Sequence, residues 1–164
     1  MRNVLAKAIV TLAASGLVAC GGDGGGVAAP TATPTPATRA AVTFNVDPNP
    51  VVSEYQGGGW YKFKVNLEFY DTAGVGFSIN SVRTTVSSSA TGTILLDYNY
   101  AVAARVAARG RTVLQFTSSE YRTLTGGGAN VRFVADLTDD RGNALTLSNQ
   151  ASVLLSGGPR EERP

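Results

Sequence analysis

The chain has 164 residues, with 14 Lys and Arg against 12 Asp and Glu, no histidine and one cysteine. Without histidine there is no Ser-His-Asp or Cys-His nucleophile and no ordinary zinc site of histidine and cysteine. A single cysteine allows no disulfide within the chain, so a folded domain here depends on a packed core.

Met1 to Lys7 carries Arg2 and Lys7 and no acid. Residues 8–19 are apolar apart from Thr11, Ser15 and Gly16. A basic start, a short apolar stretch and small residues before a cut site describe a secretory signal peptide over residues 1–19. The stretch falls short of the roughly 20 apolar residues that a bilayer requires. Leu17-Val18-Ala19-Cys20 resembles the lipobox of bacterial lipoproteins. That resemblance implies cleavage before Cys20 and lipidation of its thiol. Several acyl chains on one residue make a stable anchor where a single chain would be marginal. The chain is then expected in the bacterial cell envelope, tied to the membrane through Cys20. Gly21 rather than Asp follows the cysteine, which by the enteric sorting rule favours the outer membrane.

Loss of the signal takes Arg2 and Lys7 with it and leaves a formally neutral chain. Nucleic-acid binding normally rests on a basic stripe. Only Arg105, Arg109 and Arg111 cluster in sequence, so no nucleic-acid partner is expected. Residues 20–40 read as a tether, Gly-rich first and Pro/Thr-rich after, too poor in apolar surface to fold. At about 3.1 Å per residue it reaches at most roughly 60 Å.

Residues 41–156 are expected to form one domain. Residues 41–46 make a short strand ended by Pro48 and Pro50, which cannot donate ladder hydrogen bonds. In Trp60 to Tyr70 five apolar residues (Tyr61, Phe63, Val65, Leu67, Phe69) alternate with Lys62, Lys64, Asn66 and Glu68. That period of two describes a strand with one buried and one wet face. After a turn over residues 71–76, Phe77 and Ile79 alternate, then Val82, Thr84 and Val86; the parity change between them predicts a bulge. Ile94, Leu96, Tyr98 and Tyr100 form another alternating set. Tyr100 to Arg109 is rich in alanine and arginine, and helix propensity predicts one or two helical turns closed by Gly110. Val113 to Phe116, then Val131 to Leu137, then Leu145 to Leu155 complete about seven strands. Residues 157–164 read as a disordered tail.

This pattern predicts an all-β, single antiparallel β-sandwich. The stretch resembles immunoglobulin-like or fibronectin type III-like domains of bacterial surface proteins, most specifically through the hairpin from Asp136 to Asn143. It lacks the paired cysteines of true immunoglobulin domains.

Asp136, Asp139 and Asp140 are the candidate metal ligands, because calcium takes several oxygens from one turn. Arg141 intervenes before Gly142, however, and D-D-R-G-N also reads as a tight hairpin turn; no metal and no cofactor are expected. The glycine runs 57–59 and 126–128 lack the Lys-Ser or Lys-Thr of a phosphate loop. Trp60, Tyr55, Tyr98, Tyr100 and Tyr121 are candidates for stacking on sugar rings, and equally for packing. Ser87, Ser88 and Ser89 have no base beside them in sequence. No residue is assigned a catalytic role. The expectation is a lipid-anchored, non-enzymatic interaction domain with an envelope protein as partner, or alternatively a glycan-binding module.

Overall fold

A computed structural model describes residues 36–123 and 128–157. The expected signal peptide, Cys20, the tether as far as residue 35 and the tail from residue 158 lie outside the described residues.

The described residues form nine strands: β1 (Val42–Asp47), β2 (Val51–Gly57), β3 (Trp60–Asp71), β4 (Phe77–Ser88), β5 (Ile94–Val106), β6 (Arg111–Thr117), β7 (Tyr121–Arg122), β8 (Ala129–Asp139) and β9 (Ala144–Ser156). Hydrogen bonds run in the order β1-β3-β2-β9-β8-β4-β5, with β6 and β7 also on β3. Strand β3 organises the fold because it changes partners along its length. Trp60 to Phe63 pair with β2, and Trp60 and Tyr61 also with β7. From Lys64 onward β6 lies on one side, and from Asn66 β1 lies on the other. Its apolar set, Tyr61, Phe63, Val65, Leu67 and Phe69, is buried as the alternation requires.

The aromatic contacts bring two layers face to face. Phe116 of β6 meets Phe133 of β8 at 5.7 Å and 83°, and Phe63 meets Phe133 at 6.3 Å and 88°. These edge-to-face contacts join strands that share no hydrogen bonds, and such geometry suits the ring quadrupoles. The architecture is all-β and resembles an immunoglobulin-like sandwich.

Three expectations are corrected. The pairing is mixed, because β2 runs parallel to β9 from Val51↔Val153 to Glu54↔Ser156. The cause lies in Asp47-Pro48-Asn49-Pro50. Strands β1 and β2 both run antiparallel to β3, one after the other. The prolines interrupt the ladder between them, and β2 resumes with a second partner, β9. Nine strands form among the described residues where about seven are expected, because β2 and the two-residue β7 carry too little periodicity to be read from sequence. The helical turns expected over Tyr100 to Arg109 are strand as far as Val106. Pairing with β4, from Phe77↔Val106 to Ser87↔Ile94, overrides the propensity of alanine for helix. Only Ala107 to Gly110 form a turn, closed by the Gly110 N–H donating to the Ala107 carbonyl at 2.7 Å. The bulge expected between Ile79 and Val82 is present as a register shift between Ile79 and Ser81, toward both β5 and β8.

Candidate ligand-binding face

The wider layer, β5-β4-β8-β9, has a polar outer face. Alternation sends Val82, Thr84 and Val86 inward and leaves Ser81, Arg83 and Thr85 outward on β4. Register then fixes their neighbours. Arg83 lies between Asn99 of β5 and Val134 of β8, Thr85 beside Asp97, and Ser81 beside Asp136. Arg83, Asp97, Tyr98, Asn99, Val134 and Asp136 line an open depression of about 400 Å³.

Its polar groups are held in place from the side. The Arg83 guanidinium donates a fork to Asp97, Nε at 2.8 Å and Nη2 at 2.5 Å, and the Thr85 hydroxyl donates to the same carboxylate at 3.3 Å. That fork is the strong, directional form of an ion pair. It holds the Asp97 carboxyl below its ordinary pKa and raises that of Arg83. Asp136 accepts from Thr146 at 2.8 Å and from Ser81 at 3.2 Å. The Asn99 amide has no hydrogen-bond partner among the described residues.

The three candidate metal ligands are turned to separate tasks. Asp139 sits at one end of the sandwich, buried, where its carboxylate accepts from the backbone N–H of Ala40, Arg141 and Asn143 and from the Asn143 side chain. Burial alone would raise its pKa; these donors outweigh it and bring it down to about 2. Asp140 is paired to Arg105 at 2.7 Å. Asp136 faces the depression. Among the described residues no group of three acidic or cysteine side chains is placed to hold a metal ion.

The five candidate aromatics do not form one platform. Tyr121 is buried, its hydroxyl bonded to Ser53 Oγ at 2.5 Å. Tyr55 packs on Tyr61 at 5.4 Å. Trp60 is 43 % exposed at the start of β3, away from the depression. Tyr98, 50 % exposed, lies 4.3 Å from Tyr100, and Tyr100 meets Phe116 edge-on. Gly57, Gly58 and Gly59 all take positive φ in the β2–β3 turn. Of the second glycine run only Gly128 is described; its carbonyl accepts from Ser89. Arg111 pairs with Glu68 at 2.6 Å, so two of the three clustered arginines are neutralised locally. A second concavity, of about 440 Å³, opens between the edges of β5 and β6. It is apolar, with Leu67, Val82, Tyr100, Val102, Leu114 and Phe116 in its walls.

Sequence reasoning missed Arg83, Asp97 and Asn99. Their outward parity was visible, but their convergence depends on the β4–β5 and β4–β8 registers.

The chain matches no protein-family model and no curated protein. Solved structures do share its fold. The X-ray structure of the Northeast Structural Genomics Consortium target SoR45 is similar with a TM-score of 0.52 at 10% identity, covering 75% of this chain and 96% of that one. A Bordetella pertussis protein described as ApaA is similar with a TM-score of 0.50 at 10% identity, covering 70% and 94%. The CARDB domain of the PF1109 protein from Pyrococcus furiosus aligns at a TM-score of 0.35 with 16% identity, over 70% and 89% of the two chains. At 10% identity the likeness to the first two is one of fold alone.

Proposed function

We propose that this chain is a non-enzymatic recognition protein of the bacterial cell envelope, tied to the membrane by lipid on Cys20, with its immunoglobulin-like sandwich as the binding module. The observation that carries the recognition reading is the outer-face depression. Arg83, Asp97 and Asp136 come from neighbouring strands and are fixed by hydrogen bonds before any partner arrives. Preorganisation of this kind lowers the ordering cost of binding.

The depression also holds two carboxylates, Asp97 and Asp136, which raises the question of glycoside cleavage. That chemistry needs one carboxylic acid kept protonated by a raised pKa. Asp97 is shifted the other way by Arg83. Asp97 is thereby unsuited to the acid's role, and binding without turnover is the reading we propose.

Two measurements test the proposal. A labelled fatty acid should enter the wild-type chain and fail to enter Cys20→Ala. The immobilised full chain should retain an envelope component, with retention lost in Arg83→Glu but kept in Tyr70→Ala, which alters an exposed residue of the other layer. Equal retention by both variants would remove the outer face from the argument. Equal labelling of both chains would remove the anchor. A glycan is the alternative to a protein partner, and the chemistry of the depression favours it.

A further inference from the structure

We infer that the depression on β4, β5 and β8 is a saccharide site, selective for neutral rings, in which Arg83, Asp97, Asn99 and Asp136 meet sugar hydroxyls around a floor of Val134. The inference rests on the recognition reading and adds a ligand class to it.

Size comes first. A volume of about 400 Å³ lies at the lower end of small-ligand sites, roughly 300–1,000 Å³, and the depression is open at the surface. It suits a ring or two of an extended chain that continues along the sheet.

The lining chemistry narrows the class. Carboxylate, guanidinium and amide are planar groups that present donors and acceptors in pairs. Adjacent hydroxyls of a sugar each donate and accept, and match such groups. Unused capacity remains on every one of them. The fork to Asp97 takes two of the five Arg83 N–H donors. Asp136 receives one hydroxyl on each oxygen, and a carboxylate has about four acceptor positions. Asn99 has its whole amide free among the described residues. Val134, half-buried between these groups, offers the apolar contact that the C–H face of a pyranose needs.

Charge then selects among sugars. The guanidinium of Arg83 is already committed to Asp97. Asp136 has only hydroxyl partners, so the lining residues carry one carboxylate more than cations; Arg132, the other cation of this face on β8, lies opposite Thr85 and not in the lining. An anionic ring, uronate or sulfated, would meet that charge, whereas a neutral one would not.

The experiment is an NMR titration of the full chain with maltohexaose, cellohexaose and chitohexaose as neutral probes and hexagalacturonate as the anionic one. At least one neutral probe should move the amide resonances of Asn99, Val134 and Asp136, with the Trp60 indole unmoved and hexagalacturonate silent. Asn99→Ala and Asp136→Asn should each weaken binding by about tenfold, and Asn99→Ala does so without touching a structural contact. The inference is overturned if no neutral probe moves those resonances, if the shifts centre on Trp60 or on the β5–β6 concavity, or if the anionic probe binds as well as the neutral ones. If sugars fail while envelope capture still depends on Arg83, the recognition reading survives with a different ligand. If capture fails too, both fall.

Discussion

Two buried carboxylates without a cation shape one end of the sandwich. Asp71, fully buried, accepts from the backbone N–H of Ala73 at 3.1 Å, Gly76 at 3.0 Å and Arg109 at 2.9 Å. Asp139 does the same for Ala40, Arg141 and Asn143. In both, burial works to raise the pKa and the N–H donors, working to lower it, prevail. A carboxylate depressed in the folded state stabilises fully above its unfolded pKa of 3.8, and this is lost as pH falls toward its folded value, about 2 for Asp139. Urea melts between about pH 6 and about pH 2 should show stability flat at the upper end and falling below about pH 4. Asp71→Asn and Asp139→Asn should each lower the plateau and flatten the fall. A fall unchanged in both variants would assign the acid sensitivity elsewhere. The sequence shows Asp71 as a turn residue and Asp139 as part of D-D-R-G-N, and both readings are right locally. The grip of Asp71 on Arg109 crosses 38 positions and has no local signature.

Among the strands, neighbours decide stability. Strands β4 and β8 each have partners on both sides for most of their length, whereas β5 pairs, among the described residues, only with β4. Strand β5 is also bulged, with register shifts opposite Ile79/Ser81 and Val86/Ser87. Bulges of this kind twist an edge away from unwanted pairing. Hydrogen exchange should therefore be slowest in β4 and β8, and on the order of a hundredfold faster for the edge-facing amides of β5. Protection of Ala101 to Ala104 equal to that of β8 would mean that another chain covers the edge in solution. The same contrast explains what was legible. Strand β3 announces itself, because five large apolar residues alternate with polar ones. The second half of β5 does not. Tyr100-Ala-Val-Ala-Ala-Arg-Val106 suits a helix as well as a strand, and only the partner strand settles the choice. Two-residue β7 exists through Tyr121, whose hydroxyl reaches Ser53 in the core.

At the scale of the molecule, the all-β architecture follows from turn spacing and alternation, while the crossing of the chain between layers at Pro48 and Pro50 does not. Sequence order hides the candidate site in the same way, because Arg83, Asp97 and Asp136 come from three strands. It also hides how the chain enters the domain. Besides the bond from the Ala40 N–H to Asp139 at 3.0 Å, Arg39 donates to the Ala144 carbonyl at 2.8 Å and Asn143 to the Thr38 carbonyl at 3.3 Å. The Arg39–Ala40 bond should therefore resist trypsin in the native protein and be cut rapidly in Asp139→Ala. Rapid cutting of the wild type would show that the three contacts do not persist in solution. Those contacts also set the mechanics of the molecule. Tension on the chain ahead of Thr38 reaches the β8–β9 hairpin before it reaches the ladder of β1. A tug at the N-terminal side is thus shared with the middle of the wide sheet, and the domain resists being unzipped from its first strand.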